Sequence, residues 1–99
     1  MSTIEKNGSE ATVIPDQDIL SSNRDELRNE LADLVSEGMQ HIVIDMSKVG
    51  RIDSSGLSVL IATYNSLKAN EGMLELSNVN DNIRKLFLLT RFDRYISIV

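Results

Sequence analysis

The stretch His41-Ile42-Val43-Ile44-Asp45-Met46 constrains the fold of this chain most. Its β-branched residues follow one another without a polar break, over a run too short for a helix. It reads as a buried central strand, which needs strands beside it and other elements to cover it. The 99 residues suffice for a single domain, 1–99, with one modest core. Aromatic residues are confined to Tyr64, Phe87, Phe92 and Tyr95. The core is therefore mostly aliphatic, which suits a sheet packed against helices.

The other elements fall into place around that strand. Thr3–Lys6 and Glu10–Ile14 predict a hairpin turned by Asn7-Gly8, a pair that supplies the positive φ angles of tight turns. Pro15 ends the second strand, because it donates no ladder hydrogen bond. A polar connection, Asp16–Ser21, leads to a helix capped by Ser22 or Asn23, with Asp25 or Glu26 in capping-box register. Leu27, Leu31, Leu34 and Val35 share one face of it, and Gly38 stops it. After the central strand, Val49 and Ile52 bridge a short loop. A largely apolar helix then runs from Ser54 or Ser55 to about Asn70, and its composition predicts deep burial. Met73–Leu76 reads as a strand. A third helix, capped by Asn78 or Asn80, presents Ile83, Leu86, Phe87 and Thr90 on one face, and Tyr95–Val99 reads as a last strand. The order is β-β-α-β-α-β-α-β, an α/β fold with right-handed crossovers between parallel strands.

Several functions are disfavoured by what the chain lacks. Without cysteine there is no disulfide framework, zinc–thiolate site or thiol nucleophile. No apolar stretch approaches the ~18–20 residues of a membrane span, and MSTIEKNGSE lacks the layout of a signal peptide. A cytoplasmic protein without membrane attachment is expected. Net charge is −5, with −6 in residues 1–50 and +1 in residues 51–99. An acidic chain whose only basic group is Arg84, Lys85, Arg91 and Arg94 is a poor partner for nucleic acid. The sole histidine, His41, opens a strand, and no G-x-S-x-G elbow surrounds a serine. Asp16 and Asp18 form a D-x-D pair, yet no metal-binding or glycine-rich phosphate motif accompanies it. Neither a metal nor a cofactor is expected. Asp45 follows an apolar strand, as a phospho-accepting aspartate would, but the acidic cluster that would hold a divalent ion is missing.

The chemistry that remains lies in RIDSSGLSVL, residues 51–60. If a helix begins at Ser54–Gly56, its free N–H groups point at these hydroxyls, and a phosphate there meets the positive end of the macrodipole. Gly56 leaves the first turn without a Cβ, which would let a partner backbone approach. Equally, Asp53 or a serine can simply cap the helix, worth about 1 kcal/mol. Taken alone, the local residues favour the plain cap.

The surroundings change that balance. HIVIDMSKVGRIDSSGLSVLIATYNSLKANEGMLELSNVNDNIRKLF closely resembles the core of the STAS domain (sulphate transporter and anti-sigma-factor antagonist) in its stand-alone bacterial form. A strand, the D-S-S-G-L helix start, an apolar helix, a G-x-L-x-L-type strand and a helix with I-x-x-L-F occur in the family's order. With the hairpin and first helix, the resemblance covers essentially the whole chain. It implies a mixed β-sheet backed by helices on one face. It also implies that Ser54 is the phosphorylation site and that Asp53, Ser55, Gly56 and Leu57 form its loop and partner-binding surface.

The implied partners are an anti-sigma factor that is a serine kinase of the histidine-kinase ATPase type, and a PP2C-type phosphatase. The protein would act by partner switching and not as an enzyme. Asp18, Ser21 and Ser22 lie in the segment that borders the partner surface in the family. Many antagonists carry G-x-L-D there. This chain reads PDQDILSSN, without the glycine and with Leu20 about where the aspartate would fall. In this segment it looks more like STAS proteins of chemotaxis or two-component signalling. A scaffolding module independent of phosphorylation is therefore the alternative, and nucleotide binding at the D-S-S-G loop is a third reading.

Overall fold

The computed structural model describes residues 2–99. Strand β1 (Ser2–Asn7) and β2 (Glu10–Pro15) form an antiparallel hairpin, followed by helix α1 (Arg24–Ser36) and strand β3 (His41–Asp45). Helix α2 (Ser54–Ala69), strand β4 (Met73–Ser77), helix α3 (Asp81–Leu89) and a 3-10 turn (Phe92–Arg94) lead to the short strand β5 (Ser97–Ile98). The strands lie side by side in chain order, β1-β2-β3-β4-β5, and all pairs after the hairpin are parallel.

That order places the helices. Each crossover steps to the next neighbour in the same direction, so right-handed connections lay α1, α2 and α3 on one face of the sheet. Ala11, Ile42 and Leu74 stand in register across β2, β3 and β4, as do Val13, Ile44 and Leu76. All six are buried and form the sheet's side of the core. Leu27, Leu31 and Leu34 of α1, Val59, Leu60 and Leu67 of α2, and Ile83 and Phe87 of α3 complete it. Phe87 stacks on Phe92 with ring centroids 5.0 Å apart, which anchors α3 to the turn behind it.

The expected architecture is present, with local differences. The hairpin loop is Gly8-Ser9, because Asn7 still pairs with Glu10; Gly8 takes the positive φ, at 64°. Asn23 does precede α1, but its side chain makes no cap bond. Its carboxamide instead accepts from the Leu20 N–H at 2.8 Å and donates to the Asp18 carbonyl at 2.5 Å. Asn80, not Asn78, caps α3, accepting from the Ile83 N–H at 2.8 Å. The last strand is shorter than Tyr95–Val99, since Phe92–Arg94 wind into the 3-10 turn.

Two burial expectations are corrected. Strand β3 is central, yet only Ile42 and Ile44 are buried, because the helices cover one face of the sheet alone and Val43 lies half-exposed on the other. On that outer face His41 Nε2 stands 3.1 Å from Glu75 Oε1. Helix α2 is not buried all round either: Ile61 is 45% exposed. Helix α1 packs against one side of it, while the opposite stripe faces the C-terminal turn across an open groove.

Phe87→Ala is expected to lower the unfolding free energy by about 3–5 kcal/mol, the range for emptying a fully buried aromatic site. Urea denaturation with an unchanged slope checks it, and a loss below about 1 kcal/mol would place the ring outside the core.

Candidate functional site

In a parallel sheet the loops leaving the C-terminal strand ends meet along one edge, where the following helices begin. Here the loops after β2, β3 and β4 are joined by hydrogen bonds from side chains and backbone. Ile19 and Ile52 form a short parallel bridge: the Ile19 N–H donates to Arg51 O at 3.1 Å and the Asp53 N–H to Ile19 O at 3.2 Å. Asp18 Oδ1 accepts from the Gly50 N–H at 2.7 Å and the Arg51 N–H at 3.1 Å. From the third loop, Asn80 Nδ2 donates to the carbonyls of Val49 and Gly50. Asn78, in the left-handed region at φ 56°, donates to Asp45 Oδ1 at 2.9 Å.

Asp53 sits at the junction. Its extended backbone makes it the N-cap of α2, and Oδ1 accepts from the Gly56 N–H at 3.0 Å. Its other oxygen, Oδ2, accepts from the Ser21 N–H at 2.9 Å, so one carboxylate joins the β2–α1 loop to the start of α2. These two N–H groups, Gly56 first and Ser21 second, hold the Asp53 carboxyl below the usual aspartate range. Asp45 is lowered as well, chiefly by the Asn78 carboxamide.

The two serines that follow differ. Ser54 is exposed, and its hydroxyl has no hydrogen-bond partner among the described residues; only its carbonyl is used, accepting from Ser58 Oγ at 3.0 Å. Ser55 is half-buried, with Oγ 3.4 Å from Arg24 Nη1. Gly56 is buried against its own chain. A Cβ there would lie 2.6 Å from the Ile19 carbonyl oxygen and 2.6 Å from Ile52 Cγ1. The glycine therefore serves the internal fit of α2 against the Ile19 bridge, which corrects the expectation that it opens room for a partner's backbone.

The profile of the STAS domain matches residues 2–99. The chain belongs to the STAS domain family. It is 31% identical over 72 residues to BtrV of Bordetella bronchiseptica, described as a candidate anti-sigma factor antagonist. That match covers 73% of this chain and 62% of BtrV, so the chain spans less than two thirds of the curated relative. Among solved structures, a candidate anti-sigma factor antagonist from Thermotoga maritima superposes with a TM-score of 0.93 at 21% identity, covering 98% of this chain and 84% of the other. The Bacillus anti-sigma factor antagonist SpoIIAA, in its unphosphorylated form, gives 0.81 at 16% identity over 100% of this chain and 87% of its own. The phosphorylated form of SpoIIAA gives 0.79.

Within this STAS domain, Asp53, Ser54, Ser55, Gly56 and Ser21 come together at one corner, and Ser22 lies exposed beside Ser21. Leu57 turns half-buried along the next part of α2. Asp18 is engaged by the Gly50–Arg51 backbone, so its carboxylate shapes the loop. Arg24 and Asn80 were missed as site residues. The helix start Asn-Arg-Asp gives no sign that its guanidinium reaches across to Ser55, 31 residues on. Among the described residues no three acidic or histidine side chains converge as a metal site, and no helix is long and apolar enough to cross a membrane.

Gly56→Ala is expected to destabilise by about 1–3 kcal/mol, because the overpacking meets a backbone carbonyl that cannot swing aside. A urea midpoint equal to or above that of the wild type would contradict this. Asp53 gives a pH signature. Its carboxyl is held down in the folded state, so its stabilisation is complete above the ordinary aspartate value of about 4 and is lost as pH falls through the lower folded value. Asp53→Asn should thus melt below the wild type at pH 6, with the gap closing below pH about 4. A gap constant with pH would show that the charge is not involved.

Proposed function

We propose that this STAS domain is an anti-sigma-factor antagonist that works by partner switching, controlled by a reversible phosphate on Ser54. One observation carries the reading. Of the two serines at the head of α2, Ser54 alone is exposed with an unpartnered hydroxyl, whereas Ser55 is half-buried against Arg24. A kinase reaches the first and not the second.

A phosphate on Ser54 adds about −1.5 to −2 charge beside Asp53. The N-terminal end of α2 accommodates it through free N–H groups and the macrodipole, and the Arg24 guanidinium adds a cation at the same corner. The switch lies in how partners read that charge. A partner shaped to the neutral hydroxyl binds the unmodified corner and is repelled by the modified one. That partner is an anti-sigma factor acting as a serine kinase of the histidine-kinase ATPase type, and a PP2C-type phosphatase reverses the mark. The unphosphorylated chain holds the kinase and frees the sigma factor. Its contact surface is formed by Asp53, Ser54 and Ser55, on a loop that the buried Gly56 seats against the Ile19 bridge, with Leu57 and the exposed Ser21 and Ser22 alongside. The chain acts in the cytoplasm by binding and catalyses no reaction itself. The names of its relatives and the existence of SpoIIAA in phosphorylated and unphosphorylated forms support this reading.

The test uses the purified chain, the candidate ATPase-type kinase from the same host, and ATP. Mass spectrometry is expected to find phosphate on Ser54 in the wild type and Ser55→Ala, and none in Ser54→Ala. Ser54→Asp should bind the kinase at least about tenfold more weakly than the wild type, a difference of about 1.4 kcal/mol. If Ser54→Ala and Ser54→Asp both bind as the wild type does, no phosphate reaches Ser54, and the complex ignores ATP, the chain is a constitutive scaffold.

A further inference from the structure

The open side of α2 has a regular pattern. Leu57, Ile61, Tyr64 and Lys68 recur at alternating four- and three-residue spacing, the seam by which helices dock on helices. Facing them across a cavity of about 440 Å³ are Phe92 and Tyr95 of the C-terminal turn. Tyr64 and Tyr95 meet edge to face with centroids 6.1 Å apart. Ile61 on one wall is 45% exposed and Tyr95 on the other is 61% exposed, so two large apolar side chains flank an unfilled groove.

Cations outnumber anions around the groove: Lys68 lines it, and Arg91 and Arg94 lie in the C-terminal turn with the single acid Asp93 between Phe92 and Arg94. Lys68 Nζ lies 5.8 Å from the centre of the Tyr64 ring, and Arg91 and Arg94 bracket Phe92 in the chain. None of these three cations has an ion-pair partner among the described residues, although the chain as a whole carries −5. We infer that this groove docks an acidic amphipathic helix of a partner protein; it adjoins the corner around Ser54 at Leu57 and runs from there along Ile61, Tyr64 and Lys68. The seam from Leu57 to Lys68 rises about 16 Å at 1.5 Å per residue, the length of a three-turn helix. Apolar anchors at i, i+3/i+4 and i+7 fill the groove, and acidic residues beside them meet Lys68, Arg91 and Arg94. A second copy of this chain does not supply such a segment. Its acidic helix is α1, whose leucines Leu27, Leu31 and Leu34 are already buried in its own core.

A phage-displayed library of 14-residue helical peptides tests this, with apolar residues fixed at the seam positions and all others randomised, selected on the full chain. Asp and Glu are expected to dominate the randomised positions. Binding of the selected peptides should fall at least tenfold in Ile61→Ser and Tyr95→Ala, with urea midpoints near the wild type. The same selection on Lys68→Glu should lose the acidic bias. Peptides enriched without acidic bias, or binding both groove variants as well as the wild type, overturn the proposal. Amide shifts at Leu57 and Tyr95 on titration with laurate, but not with the selected peptides, overturn it in favour of a small apolar acid. A dimer in sedimentation that Ile61→Ser abolishes overturns it in favour of self-association. None of these readouts depends on phosphate at Ser54, so failure here and failure of the switch are told apart.

Discussion

The two oxygens of the Asp53 carboxylate reach segments that are distant in the chain, Gly56 one turn into α2 and Ser21 in the loop before α1. A carboxylate accepts from several donors at once, and here it joins two loops that the sheet only brings near each other. The Ile19–Ile52 bridge and the Asp18 contacts to Gly50 and Arg51 reinforce the same seam. Ser54 takes its setting from that junction, which it follows directly in the chain. The site depends on charge already present in the molecule, and a second negative group added beside it acts on a corner that is electrostatically occupied.

The core fixes the position of this corner without taking part in it. Six aliphatic residues on one face of β2, β3 and β4 carry the helices, and the strand ends that leave that layer carry the loops. Gly56 shows how close the two layers come, since even a methyl group would meet the Ile19 carbonyl. A rigid platform of this kind lets a short loop present one hydroxyl reproducibly.

Local signals carried most of the sequence reading. Apolar runs, turn residues and helical patterns located the five strands and three helices but not the 3-10 turn, and the local residues offered Asp53 or a serine as the cap of α2. What sequence could not give was long-range pairing. Nothing in Asp18 says that it will meet the backbone of Gly50 and Arg51, 32 and 33 residues later. Asn23 has the right type and spacing for a capping box, yet the nearby Leu20 N–H and Asp18 carbonyl drew its side chain away. The Asn-Gly pair signals a turn, but cross-strand register moved the turn one residue along. Leu57, Ile61 and Tyr64 are as apolar as the buried side of α2. What distinguishes them is a flank that Phe92 and Tyr95 face across an open groove, and composition cannot register that gap.

The chain-order arrangement of the strands bears on how the molecule assembles. Each new strand joins the edge left by the one before it, so every pairing closes a loop no longer than one helix and its turns. Parallel strands pair more slowly than a hairpin, but pairings of that reach, such as Ala11 with Ile42 and His41 with Met73, cost less closure entropy than longer ones would. They also allow the sheet to grow from the hairpin onward as the chain emerges, each helix docking on strands already in place. The seam between the β2–α1 loop and α2 closes midway through that sequence, before β4 and α3 are added.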